Sequence, residues 1–170
     1  MVEKITKKFG LFMVALSLLA GCNWSGSKED KATAASSKIL VVNVLDASLY
    51  NDAHIAGSIN VPLADLQNAA QKWDKEVPVV IYCSNYTCSA SAGGARILQG
   101  LGFKNVSAYE GGMAQWYQLS REDNTYGVEG PTKEDYLSVK VTPPSHEAAQ
   151  DVKIITAQEL REQLRSDKNL

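Results

Sequence analysis

Apolar positions fall along this chain in short β-branched runs separated by stretches of helical period. Ile39-Leu40-Val41-Val42-Asn43-Val44-Leu45 is a near-continuous apolar run, the pattern of a strand buried on both faces. Asp46 to Asn51 reads as one short helical turn, and Ala53 to Pro62 as a turn leading into a short strand. From Leu63 to Trp73 the apolar residues stand at 63, 66, 69, 70 and 73, which is helical spacing. Val77 to Tyr82, broken only by Pro78, predicts a second buried strand. Ser89 to Leu101 reads as a helix, Val106 to Tyr109 as a strand, Glu110-Gly111-Gly112 as a tight turn and Met113 to Leu119 as a short helix. Strands alternating with helices predict an α/β fold, a parallel sheet with helices on both faces.

Residues 120–152 break this rhythm. They hold Pro131, Pro143 and Pro144, several charges and little period, and read as an extended strap over the surface. The pattern then resumes. Val152 to Ile155 reads as a short strand and the following residues to Leu164 as a helix, opened by a capping box of Thr156 and Glu159.

Composition adds bounds. The chain has 170 residues, 45% apolar and 21% charged, which fits one globular domain with additions. Its net charge of −2 gives no electrostatic case for nucleic acid. Lys4, Lys7 and Lys8 precede an apolar core, Phe9 to Ala20, of the length of a signal-peptide h-region. That core ends in Leu19-Ala20-Gly21-Cys22, which resembles the lipobox of bacterial lipoproteins. The resemblance implies removal of residues 1–21, lipid on Cys22 and a membrane anchor on the extracytoplasmic, periplasmic side of the bacterial envelope. Asn23, in place of an aspartate, leans toward the outer membrane. Residues 22–38, rich in Ser, Lys, Ala and Gly, read as a flexible tether. With Cys22 lipidated, Cys83 and Cys88 remain as a pair in a compartment where disulfides persist.

Candidate chemistry centres on that pair. Cys83 ends a buried strand and a helix begins just after Cys88. N–H groups at a helix start favour negative charge, so a thiolate is expected at Cys83, with its pKa below the ordinary ~8.5. No Gly-rich phosphate loop follows the first strand and no paired-carboxylate pattern stands out, so no cofactor is expected. No local ligand pattern makes a metal site; Cys83, Cys88 and His54 are scattered. Trp73 and Trp116 read as packing residues, and His54 as a structural turn residue. Arg96, on the helix after the loop, faces either solvent or substrate.

Taken together, residues 39–119 resemble the rhodanese-like domain. The pieces are His54-Ile55-Ala56-Gly57-Ser58-Ile59-Asn60-Val61-Pro62, Val80-Ile81-Tyr82-Cys83, Gly100-Leu101-Gly102-Phe103-Lys104-Asn105-Val106 and Glu110-Gly111-Gly112-Met113-Ala114-Gln115-Trp116, in that order. The resemblance implies a sulfurtransferase. Cys83 would carry sulfane sulfur as a persulfide, taken from a small donor such as thiosulfate or a persulfide and passed to a thiol or cyanide acceptor. Ser84, Asn85, Tyr86, Thr87 and Ser89 would form the substrate-binding loop, with Cys88 an assisting or resolving thiol. Related phosphatases and arsenate reductases have a loop one residue longer that ends in arginine; here Cys88 and Ser89 stand at those places, which argues against phosphate chemistry. The glycine usual in the loop is also absent, with Asn85 or Tyr86 in its place; Asn tolerates a left-handed turn. A second reading stays open: a thiol redox or partner-binding module, cycling Cys83 and Cys88 between dithiol and disulfide, with a thiol redox protein as partner.

Members of this family usually begin with a short strand and an Ile-Thr-x-x-Glu-Leu helix. Residues 153–170 look like those pieces, so the C-terminal strand and helix are expected to complete the 39–119 core in a permuted arrangement, with 120–152 as the strap. The rival is a tandem protein with a truncated second domain.

Overall fold

The computed structural model describes residues 38–140, 142–143 and 151–168. The expected signal segment 1–21, Cys22 and all but the last residue of the 22–38 tether lie outside those residues. Five parallel strands form the central sheet: β1 (Leu40–Asn43), β3 (Ile59–Asn60), β4 (Val79–Tyr82), β5 (Val106–Tyr109) and β7 (Lys153–Ile154), in spatial order β3-β1-β4-β5-β7. β4 is the middle strand and all four of its residues are buried. The helices are α1 (Ala47–Asp52), α2 (Leu63–Ala69), α3 (Ala90–Gly100), α4 (Gly112–Ser120) and α5 (Ala157–Lys168).

The two-residue period of the strands divides the core into two layers. Val41, Val80, Tyr82 and Tyr109 point to one face, where Met113 and Trp116 of α4 and Leu160 of α5 cover them. Val42, Val79, Ile81 and Ala108 point to the other, against Leu66 of α2 and Ala95 and Leu98 of α3. Cys83 continues the 79–81 alternation and belongs to this second face, beneath α3. The approach of α3 to the sheet needs Gly94, where an added Cβ would lie 3.0 Å from Ile81 Cγ2 and 3.1 Å from Leu66 Cδ2. Its neighbour Gly93 has open space, and nothing in the structure explains it.

The predicted elements stand with their ends adjusted: some are shorter, while α4 gains a residue at each end and α5 runs on past Leu164 to Lys168. The 77–82 run pairs only from Val79, because Pro78 lacks an N–H; the Pro78 carbonyl instead accepts from Leu40 N at 2.9 Å. The helix read over 63–73 tightens after Ala69 into a 3₁₀ turn, Ala70–Lys72. The 120–152 stretch is more than a surface strap. Val128–Glu129 forms β6, antiparallel to β2 (His54–Ile55), and a 3₁₀ turn over Asp135–Ser138 packs on α4. Tyr126 and Leu137 from this stretch are buried in the first core layer.

The C-terminal segment joins the same domain. β7 extends the sheet beside β5, with Ser107 opposite Lys153 and Ala108 opposite Ile154. The capping box closes as its sequence requires: Glu159 Oε2 accepts from Thr156 N at 2.7 Å, and Glu159 N donates to Thr156 Oγ1 at 3.2 Å. Ile155, Ala157 and Leu160 then bury against the residues that β4 and α4 supply.

Candidate active site

Parallel sheets place their sites outside the carboxyl ends of the strands, and β4 ends directly in Cys83. Residues 84–88 belong to no helix or strand, and side-chain bonds shape them. Asn85 Oδ1 accepts from Thr87 N at 3.0 Å and from Thr87 Oγ1 at 2.7 Å, while Cys88 N donates to Asn85 O at 3.0 Å. These bonds curl the segment without a left-handed residue: among the described residues Thr132 is the one non-glycine with positive φ. The expected left-handed Asn is therefore not used; Asn85 bends the loop through its carboxamide instead.

Two helix starts converge on the loop. At α4, Met113 N donates to Cys83 O and Ala114 N to Ser84 O, both at 2.9 Å. Gly112 makes that docking possible. Its φ is +60°, and an added Cβ would lie 2.6 Å from Cys83 O and 2.7 Å from Asn85 N, both backbone atoms. Gly112→Ala combines a left-handed strain with a backbone clash, and is expected to destabilise the fold by about 2–4 kcal/mol. A urea midpoint within experimental error of wild type would show that α4 does not hold the loop from below. Farther out, Tyr86 and Tyr109 hydroxyls both donate to Gln115 Oε1 at 3.0 Å, tying the loop to α4.

At α3 the partner is sulfur. The loop turns back so that the Cys83 thiol donates to Cys88 O at 3.2 Å, which brings the two thiols close enough to shift each other's ionisation. Cys83 is fully buried and Cys88 half-buried, and both are free thiols. The hydrogen bond from Cys83, the Ala90 backbone N–H and the Ser84 backbone and hydroxyl hold Cys88 down at about 5, against the opposing effect of its burial. Cys83 moves the other way, because it donates to Cys88, is desolvated and faces that negative charge. The helix start does hold a thiolate, as expected from the chain, but on Cys88 in the resting state rather than on Cys83. The backbone and hydroxyl of Ser91 favour charge on Cys83; that serine is buried, and its hydroxyl has no satisfactory partner elsewhere.

Of the other residues named from sequence, Ser84 faces Cys88, while Thr87 and Ser89 are exposed. His54 serves the fold: its ring stacks on Tyr50 at 4.0 Å, and its nitrogens face Tyr50 O at 2.9 Å and Glu129 Oε2 at 3.0 Å. Arg96 turns to solvent and pairs with Asp151 at 2.7 Å. Gly112, Ser91 and Gln115 escaped sequence reasoning as site residues. A cavity of about 200 Å³ opens beside the loop, lined by Asn85, Tyr86, Gln115, Gln118 and Lys140 among others. A larger one, of about 830 Å³, lies at the opposite end of the strands near Pro78, Asn105 and Asp167, away from both thiols.

Residues 28–119 match the family model described as rhodanese-like domain. A thiosulfate sulfurtransferase GlpE from Coxiella burnetii is 37% identical over 78 residues, covering 46% of this chain and 71% of that protein. Its counterpart in Tolumonas auensis is 30% identical over 78 residues, covering 46% and 72%. Among solved structures, the BH2092 protein from Bacillus halodurans is 30% identical, with a TM-score of 0.48, covering 56% of this chain and 66% of its own. The rhodanese-like domain of the Anabaena Alr3790 protein is 26% identical, with a TM-score of 0.49, covering 64% and 83%.

Proposed function

Because this chain belongs to the rhodanese-like domain family, we propose that it is a sulfurtransferase that carries sulfane sulfur as a persulfide on Cys83 and passes it to a thiol or to cyanide. The observation that carries this reading is the enclosed pair of free thiols at the end of β4, where the Cys83, Ala90 and Ser84 donors lower the Cys88 thiol and so favour one negative charge in the pair. In the resting pair the proton sits on Cys83 and the charge on Cys88. Cys88 takes that proton as the donor arrives, and the Cys83 thiolate attacks the outer sulfur of thiosulfate. The Cys83–sulfur bond forms, the sulfur–sulfur bond of thiosulfate breaks, and sulfite leaves with the electron pair. An acceptor thiolate then attacks the outer sulfur of the persulfide and returns Cys83 as a thiolate. Cys83 is covered at rest, so the donor reaches it as residues 84–88 part.

Single-turnover sulfite release tests the reading. Reduced protein mixed with thiosulfate should release about one sulfite per chain. Release no faster than from buffer alone defeats it.

The same proposal places the domain on a membrane through lipid on Cys22. Its support is the sequence Leu19-Ala20-Gly21-Cys22 behind a basic and apolar leader. In a bacterial host, the full chain should fractionate with membranes and Cys22→Ala should not be acylated. Equal acyl labelling of the two would end that part of the proposal.

A further inference from the structure

We infer that the loop discharges its own persulfide: Cys88 attacks Cys83, closes a Cys83–Cys88 disulfide and expels the carried sulfur as hydrosulfide. This inference rests on the persulfide reading above and adds a second outcome to it, sulfide release without an external acceptor.

The geometry brings the groups together. The loop folds back until the Cys83 sulfur lies 3.2 Å from the carbonyl oxygen of Cys88, so both thiols sit in one turn and shift each other's ionisation. Four residues separate the two cysteines, and the Asn85 bonds hold the segment between them in its curl. The donors that hold charge at the mouth, Ala90 N–H and the Ser84 N–H and hydroxyl, are directed at Cys88. Cys88 is therefore the member of the pair that is available as an attacking thiolate once Cys83 is loaded.

Two attacks are open to it. Attack on the outer sulfur would move the persulfide to Cys88 and expel the Cys83 thiolate. Attack on Cys83 Sγ expels hydrosulfide. Exchange runs faster toward the leaving group with the lower pKa. The surroundings of Cys83 penalise its thiolate, since it would be desolvated and beside Cys88, whereas hydrosulfide departs toward water. The second route is favoured.

The step balances. Loading leaves an anionic persulfide on Cys83 and a proton on Cys88; Cys88 returns that proton to the outer sulfur, its thiolate forms the Cys83 Sγ–Cys88 Sγ bond, and the bond from Cys83 Sγ to the outer sulfur breaks. The outer sulfur leaves as hydrosulfide, taking its proton and the electron pair. The two cysteines are oxidised and the sulfane sulfur is the oxidant. Reopening the disulfide consumes a thiol or dithiol reductant, such as a low-molecular-weight thiol or a dithiol protein.

The test is stoichiometric loading with thiosulfate at about pH 9, where the Cys88 variants also ionise, after reductant has been removed and with no acceptor present, followed by return to about pH 7, where the outer sulfur can take up its proton. Wild type should release about one hydrosulfide per chain and lose about 2 Da as the disulfide closes. Cys88→Ser should release sulfite but no hydrosulfide, and keep an adduct of about 32 Da on the Cys83 peptide. Cys88→Ala repeats the comparison in case serine disturbs the loop. Wild type that holds the adduct on either cysteine without releasing hydrosulfide overturns the inference and leaves the persulfide reading standing. If wild type itself releases no sulfite and gains neither adduct nor disulfide, the persulfide reading falls and the inference with it; a Cys88 variant, folded by circular dichroism, that releases hydrosulfide as wild type does overturns the inference alone.

Discussion

Serine in place of Cys83 is expected to take sulfite release from thiosulfate down to background, a loss on the order of 10³-fold or more, with the fold intact. The chemistry requires sulfur at this position, because an oxygen cannot carry sulfane sulfur and return it. The fold does not. Serine is smaller by a fraction of an ångström, and its hydroxyl can donate to Cys88 O where the thiol now does. The change in stability should stay within about 1 kcal/mol. The result also decides between the two sulfurs. In the resting pair Cys88 holds the charge and is the more exposed, so a plain reading of reactivity would load Cys88 first. On that rival, Cys83→Ser keeps its sulfite release and the adduct maps to the Cys88 peptide. Measured by stopped-flow sulfite detection and by peptide mass, the outcomes do not overlap.

The rival has force because the sequence located the pair but not its internal order. The run Val79 to Tyr82 and the cysteine after it were legible, since a four-residue buried strand has a composition of its own. The capping box at Thr156 was legible for the same reason: its two residues bond each other and nothing distant. What could not be read is what depends on contacts made after folding. Cys83 and Cys88 are equivalent thiols in sequence; only the Ala90 and Ser84 donors and the depth of burial distinguish them. Gly112 looked like one half of a turn, and its role appears only when α4 meets the loop backbone. The two-residue strand Val128–Glu129 has no period to detect, and Leu137 reaches the core from a segment that reads as polar.

The C-terminal segment occupies an intermediate position. Its strand and helix were legible as elements, while their place in the sheet was an expectation from resemblance. β7 lies beside β5, and Leu160 buries with Trp116 and Tyr82 in one cluster. The apolar face of α5 is thus covered by residues of the 39–119 core. It also bears on the site, because the layer that α5 closes is the one that backs α4, whose start holds the loop.

Removing Cys88 should move the acid limb of sulfur loading, and this is the second large effect expected. In wild type the pair loses its first proton near the value of about 5 held at Cys88. Loading requires one charge in the pair, so its rate should be nearly flat above pH 6 and fall as pH drops through about 5. The sign follows from the chemistry: the reactive form is deprotonated, hence activity is lost toward acid. In Cys88→Ala the shared charge is gone and Cys83 must ionise alone. Two of the influences that raise it, the hydrogen bond and the charge of Cys88, disappear, while burial remains. Its limb should then lie at or above the ordinary thiol value of ~8.5, two or more units higher than in wild type. Between about pH 6 and pH 9 the variant should gain more than tenfold in loading rate where wild type changes less than twofold. Rescue of the variant at high pH distinguishes this from damage to the loop, which would depress the rate at every pH. A variant whose limb stays near pH 5 would mean that Cys83 ionises without help from Cys88, and that the charge at the mouth of the loop is incidental to sulfur loading.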